Sequence, residues 1–275
     1  SYGIALNDLL QPGLKKGSGK NVKLYIQFNN PGKVLAKVGI SAISAEGALQ
    51  NLNTEIPDFN FKETEKQAKA AWNKELSKIA VESTDKNKLS IFYTALYHCF
   101  SSPNLFMDVD GKYFGIDKKV HQAEGFDNYT VFSLWDTYRT EHPLLSIIDR
   151  KRTTDFINTF LNQHKNGGLL PIWELAGNET YCMIGNHSIP VILDAYRKGI
   201  TGFDANLAFE AMKSAVNRNQ FGLDSYRNNG LVLADDEHES VSKTLEYAYD
   251  DWCVAQFAKL LNKPAEYTEF IRRAQ

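Results

Sequence analysis

The stretch ESVSKTLEYAYDDWCVAQFAKLL, residues 239–261, reads as one long helix. Val241, Leu245, Ala248, Trp252 and Ala255 recur at three- and four-residue intervals and predict the apolar stripe by which it packs. Lys259 falls on the same face one turn later, where its aliphatic stem can cover the end of the stripe and leave the charge in water. Glu246 and Asp250 share a side one turn apart. With Asp251 they either look inward or serve the solvated face. There is no βαβ alternation and no glycine-rich phosphate loop, so the chain is read as mainly α.

Other helical patterns run outward from this one. DRKRTTDFINTFLNQHKNGG (149–168) predicts a helix stopped at Gly167-Gly168. SIPVILDAYRKGI and DANLAFEAMKSAV predict two shorter ones, the second capped by Asp204. PAEYTEFIRRA closes the chain, with Pro264 suited to a first helical turn. KLSIFYTALYHCF (88–100) is apolar nearly all round, which predicts a buried helix. FKETEKQAKAAWNKELSKIAV places Ala68, Ala71, Trp72, Leu76 and Ile79 at helical spacing against a charged face, as a linker helix would. Many helices joined by long polar loops, notably 101–128 and 166–187, suggest a toroid or bundle of helical hairpins with its chemistry at one end.

The first sixty residues read as β structure instead. A short strand is expected around Tyr2–Ala5, and VKLYIQF (22–28) and VLAKVGISAIS (34–44) predict two strands across a turn at NNPGK. Two strands do not stand alone in water, so this reads as the tail of a larger β domain.

The 275 residues are 43% hydrophobic and 23% charged with a formal net charge of -2, an ordinary globular composition. Near-neutral charge without a long basic run argues against nucleic acid as the main partner. No run approaches 18 apolar residues, so no membrane span is expected. Cys99, Cys182 and Cys253 have no metal-motif spacing and read as buried thiols. Sixteen Phe, 13 Tyr and 4 Trp are enough both for a core and for surfaces that stack on sugars.

Two stretches place polar chemistry inside otherwise apolar sequence, where burial is costly unless the groups are paired or hold a ligand. FSLWDTYRTEHPLL (132–145) sets Trp135, Asp136, Thr137 and Arg139 together. Either an Asp136–Arg139 bond braces a helix, or an indole face and a carboxylate clamp a pyranose, with Arg139 orienting the carboxylate or adding a donor. LLPIWELAGNETYCMIGNH repeats the theme with Trp173, Glu174, Asn178, Glu179, Asn186 and His187. These are sugar contacts, support for them, or loop anchors; His187 has no partner at a zinc spacing. Asp108 and Asp110 in DVDGKY form either a tight turn or a ligand-facing loop, and the twelve-residue calcium pattern is not satisfied. His238 and Glu239 are candidate caps of the long helix or ligand contacts.

The ordered strings FYTALYHCFSSPNLFMDVDGKYFG, FSLWDTYRTEHPLL, LPIWELAGNETYCMIGNHSIPVILDAYRKGI and ESVSKTLEYAYDDWCVAQFAK closely resemble glycoside hydrolase family 92, the calcium-dependent, exo-acting α-mannosidases. The likeness spans residues 85–260 and extends upstream through AWNKELSKIAV. It implies a partial (α/α)6 barrel preceded by the end of a β-sandwich domain. The domains expected are 1–59 (the end of the sandwich), 60–84 (a linker helix) and 85–275 (the first part of the barrel). It further implies hydrolysis of terminal α-mannosides with inversion, a Glu as general acid, an Asp as general base, and Ca2+ binding the mannose hydroxyls. Trp135, Asp136, Thr137, Arg139, Trp173 and Glu174 are then expected to bind substrate, with Asp136 on a mannose hydroxyl. Asp108, Asp110, Glu179, Asn186 and His187 would support them.

One departure bears on activity. The family's acid and base motifs are absent, and GNET at 177–180 is not the base motif. The expectation is therefore a fragment that supplies substrate contacts but neither acid nor base, with the main calcium ligands outside it. Its partners would be mannose-containing glycans and the C-terminal remainder of the same polypeptide. The alternative is a non-catalytic carbohydrate-binding or structural helical domain. Family resemblance favours a periplasmic or secreted location, although the chain carries no signal peptide.

Overall fold

The computed structural model describes residues 1–30 and 32–275, and the chain divides into two compact units, Ser1–Val38 and Gly39–Gln275. The first holds a three-stranded antiparallel sheet of β1 (Tyr2–Leu6), β2 (Leu9–Pro12) and β3 (Val22–Ile26), in the order β2-β1-β3. Gly3 lies at the crowded centre of this sheet. A Cβ there would meet the Gln11 carbonyl at 2.5 Å and the Tyr25 hydroxyl at 2.6 Å.

Two β expectations fail. Residues 34–44 form no strand, and Val38 and Ile40 stand exposed. Apolar alternation becomes a strand only where another strand supplies hydrogen-bond partners, and β3 takes β1 as its partner instead. The turn expected at NNPGK includes Pro31, which lies outside the described residues. Further on, Ala45–Glu55 is a helix (α1) within the segment read as β; the Ser44 side chain accepts the Gly47 N–H at 3.0 Å and starts it.

The second unit continues with α2 (Phe61–Leu76) and α3 (Lys86–Cys99). The predicted α2 stripe is only half covered: Trp72, Leu76 and Ile79 are partly buried, whereas Ala68 and Ala71 are exposed. Just past α2, Lys78 bonds Glu75 and Asp149 at 2.6 Å each, and Arg152 reaches Glu75 at 2.8 Å. The two cations lie 5.2 Å from the Phe100 ring centre, one on Lys78 and one on Arg152. α3 is helical as predicted but not buried. Leu96 is its one buried residue, and Ile91 and Tyr97 face solvent. An all-round apolar sequence needs neighbours on every side, and here they cover one.

Short strands then frame the middle of the unit. β4 (Asn104–Leu105) pairs with β7 (Tyr129–Thr130), and β5 (Lys112–Phe114) with β6 (Val120–Gln122). β8 (Phe132–Ser133) pairs with β9 (Trp173–Leu175), which pairs with β10 (Asn178–Glu179). Helices follow as α4 (Leu134–Thr137), α5 (Glu141–Ile148), α6 (Arg150–Gly167), α7 (Ser188–Arg197), α8 (Ala205–Val216), α9 (Leu223–Asn229), α10 (Ser240–Leu260) and α11 (Pro264–Arg273). Asp204 caps α8 through the N–H groups of Asn206 and Leu207, each at 3.0 Å. Gly168 ends α6 at φ 75°, a left-handed value that a side chain adopts only with strain.

The core lies among α6, α7, α8, α10 and α11. Phe132, Phe156 and Phe160 meet edge to face, with ring centres 4.8–5.4 Å apart, and Phe209, Phe257 and Phe270 are fully buried. The fold is thus mainly helical.

The long helix α10 is present but turned from its predicted orientation. Val241 and Leu245 are 73% and 68% exposed, and Trp252 is exposed too. Of the predicted stripe, Ala255 is fully buried and Ala248 half-buried, and the buried face otherwise carries Lys243, Tyr247, Asp250, Asp251, Cys253, Val254, Phe257 and Ala258. Cys253 is the buried thiol expected, whereas Cys99 is partly buried and Cys182 exposed. A hydropathy reading counts Lys243, Asp250 and Asp251 as solvent-facing. They are buried because each has a partner: Glu237 at 3.2 Å, Asn186 at 2.8 Å and Arg273 at 2.9 Å. His238 and Glu239 do not cap α10; both are exposed, and Glu239 adopts φ 57° without a side-chain capping bond.

Candidate functional site

Three of the sequence-predicted residues converge on one carboxylate, Glu246 of α10. The indole Nε1–H of Trp135 on α4 donates to Glu246 Oε1 at 3.2 Å. His187, at the N-terminal end of α7, pairs through Nε2 with Oε2 at 2.7 Å. Arg139 stands 3.5 Å from Oε1. A carboxylate only accepts, so His187 carries its proton on Nε2. Tyr138 stacks on the His187 ring at 4.3 Å, and the Arg139 guanidinium covers both Trp135 and Tyr138, at 4.9 and 4.5 Å. Burial pushes the Glu246 carboxyl upward. His187, the Trp135 N–H and Arg139 together outweigh that and hold it below its ordinary value.

The rest of the Trp135 segment departs from the helix-brace reading. No Asp136–Arg139 bond forms among the described residues. Arg139 donates to the Trp135 carbonyl at 2.8 Å, while Asp136 is exposed and accepts from the Ser133 hydroxyl. The Thr137 hydroxyl donates back to the Ser133 carbonyl at 2.9 Å. Asp136 is therefore left facing water beside the half-buried indole.

Pairing of Ser133 with Trp173 brings the second tryptophan segment alongside the first. Successive strand residues point to opposite faces, so Trp173 and its neighbour Glu174 part company. Glu174 is 1% exposed and accepts from the Thr130 hydroxyl at 3.0 Å and the Gly177 N–H at 2.6 Å, beside a cavity of only about 10 Å³. Burial lifts its carboxyl to about 7 despite those bonds. Glu179 accepts the backbone N–H groups of Ile172, Trp173 and Tyr181 at 2.8–2.9 Å. Asn186 gives its backbone N–H to Asp250 at 2.8 Å.

Asp108 and Asp110 are not drawn into the Glu246 cluster. Asp108 is buried against Ser41 at 2.7 Å and Asn51 at 2.8 Å, and Asp110 holds Lys112 at 2.6 Å. The residue that sequence reasoning left undecided is the centre, Glu246. Its one signal is the i, i+4 spacing with Asp250, since both carboxylates face the Asn186–His187 turn.

The donors do not fit a calcium ion. Calcium takes six to eight oxygen ligands, and among the described residues no group of three or more His, Cys, Asp or Glu side chains gathers to hold a metal. Glu174, Glu179 and Glu246 are each already occupied by protein donors.

Residues 47–275 match the glycosyl hydrolase family 92 catalytic domain. The chain belongs to that family. A solved family GH92 α-mannosidase from Bacteroides thetaiotaomicron is 40% identical to this family-92 chain, with a TM-score of 0.89 over 99% of it. The same Bacteroides enzyme has also been solved with mannoimidazole. An inverting family GH92 mannosidase from the same species is 31% identical over 85% of the chain, with a TM-score of 0.80. An uncharacterized secreted glycosidase from Arthroderma benhamiae is 26% identical over 91% of the chain. The chain spans 38%, 33% and 31% of the lengths of these three relatives. Among the described residues, no helix is long and apolar enough to cross a membrane.

Proposed function

We propose that this family-92 chain supplies the sugar-gripping face of an exo-acting α-mannosidase that hydrolyses terminal α-mannosides with inversion and calcium assistance. The observation that supports the reading is the convergence of Trp135, Arg139 and His187 on Glu246, in a chain 40% identical to an α-mannosidase. In this reading residues 1–59 are the end of a β-sandwich, 60–84 a linker and 85–275 the first part of an (α/α)6 barrel. Mannose-containing glycans are the partners.

The chemistry follows from what each group has left to offer. The Trp135 ring, held in its plane by its N–H bond, presents an apolar face to the C–H groups of a pyranose. Asp136, exposed beside it, accepts from sugar hydroxyls. Trp173, paired with Ser133 across β8–β9, would extend that face, and the Thr137 hydroxyl closes the short turn that carries Asp136. Inversion needs a carboxylic acid to protonate the leaving oxygen and a carboxylate to activate water. Glu246 is held ionised by three donors, and Glu174 is sealed in the interior. Neither carboxylate stands free to serve as the acid or the base.

The test is direct. The 275-residue chain is expected to bind mannose by NMR titration and to release none from an α-mannosyl disaccharide. Trp135→Ala and Asp136→Ala should each weaken binding about tenfold or more. Turnover free of contaminating activity would refute the absence of acid and base. Stable protein that binds no mannose would refute the sugar-gripping face and leave a structural domain.

A further inference from the structure

We propose that Glu246 is a positioning residue of the sugar-binding face, fixing the Trp135 ring and the Arg139 guanidinium from the α10 side. The inference rests on the reading of Trp135 as a sugar platform given above. Two chain segments far from it in sequence deliver donors to one side chain: Trp135, with Arg139 beside it, lies 111 positions from Glu246, and His187 lies 59. An indole has one donor, its Nε1–H, and here that donor is spent on Glu246. The bond removes the ring's freedom to tilt about its side-chain torsions, which a stacking platform must lose before it meets a sugar.

Its surroundings separate Glu246 from the purely structural carboxylates of the same chain. Glu174 and Asp250 are 1% and 0% exposed and are taken up by backbone N–H groups, Glu174 by Gly177 of its own turn and Asp250 by Asn186 at the entry to α7. The Glu246 side chain keeps 15% of its surface, and its partner Arg139 keeps 47%, so the group stands at the rim where a ligand would sit. Asp250, one turn further along α10, already pins the Asn186 backbone. Removing the Glu246 carboxylate therefore frees Trp135 and Arg139 while the turn beneath them remains tethered. His187, 1% exposed and stacked under Tyr138, forms the floor of the arrangement.

The test uses the whole 275-residue chain labelled with 15N at tryptophan, with Trp135→Phe to assign the Trp135 indole resonance. In Glu246→Ala that resonance should move toward the position of a water-exposed indole, while those of Trp72 and Trp173 stay in place. Mannose affinity, read in the same titration, should fall about tenfold. Glu246→Gln, which retains an acceptor for the indole, should restore the resonance and most of the affinity. A Trp135 resonance unmoved in Glu246→Ala overturns the positioning role, as does a moved resonance with unchanged affinity. Wild-type chain that binds no mannose fails the sugar-face reading, and with it this residue's role in binding; the resonance then still decides whether Glu246 holds the indole. Loss of dispersion throughout the Glu246→Ala spectrum, with the Gln variant equally unfolded, would show a folding residue and overturn the proposal.

Discussion

The carboxylate of Asp250 accepts the backbone N–H of Asn186 at 2.8 Å from a side chain with no exposed surface. One turn earlier, Glu246 holds His187, the next residue of the same turn. Two carboxylates on one helix thus fix the entry to α7. Replacing Asp250 by Ala leaves a buried N–H without an acceptor, at a cost of about 1–3 kcal/mol. Urea denaturation of Asp250→Ala should show a lowered midpoint, and the Asn186 amide should lose hydrogen-exchange protection. An unchanged midpoint with full protection at Asn186 would show that the bond carries no weight.

Burial raises several interior carboxyls, among them Glu141 and Glu174 to about 7, Asp250 to about 6 and Asp251 to about 7, from ordinary values of 4.5, 4.5, 3.8 and 3.8. The folded state therefore binds these protons more tightly than the unfolded chain. Their contribution is fully present below the ordinary values and is lost as pH rises through 6 to 7. For Glu174 alone the loss is about 3 kcal/mol. The thermal midpoint of the wild type should fall between pH 4.5 and 7.5, and Glu174→Gln should flatten that fall. A Gln variant with the wild-type slope would place the titration elsewhere.

The orientation of α10 gives opposite expectations for two of its apolar residues. Leu245→Glu, at an exposed position, should change stability by less than about 0.5 kcal/mol. Phe257→Ala, at a fully buried one, should cost about 3–5 kcal/mol. Denaturant titration of both variants decides which face packs. The reverse order would restore the stripe predicted from hydropathy.

At the end of α6, Gly168→Ala places a side chain at φ 75° and should cost about 1 kcal/mol. Asn at the same position tolerates the left-handed region better than Ala and should cost less. A thermal midpoint lower for Gly168→Ala than for Gly168→Asn would confirm the cap.

Much of this protein was legible in its residues alone. Ser, Asp, Gly and Pro signals act over three or four positions, so Asp204, Gly168 and Pro264 marked helix ends where the structure has them. The i, i+4 relation of Trp135 and Arg139 survives in the 2.8 Å bond from the guanidinium to the Trp135 carbonyl. The ordered strings around WDTYRT and WELAGNET carried the family likeness. Hydropathy could not show which way α10 turns, because Asp250 and Asp251 look solvent-bound until Asn186 and Arg273 are brought to them. Nor could it separate Glu174, a sealed brace, from Glu246, the centre of the cluster. Local sequence sets backbone torsions and the period of side chains along an element. The rotation of that element, and which distant donors meet its carboxylates, depend on how whole helices pack, and there the tertiary structure decides.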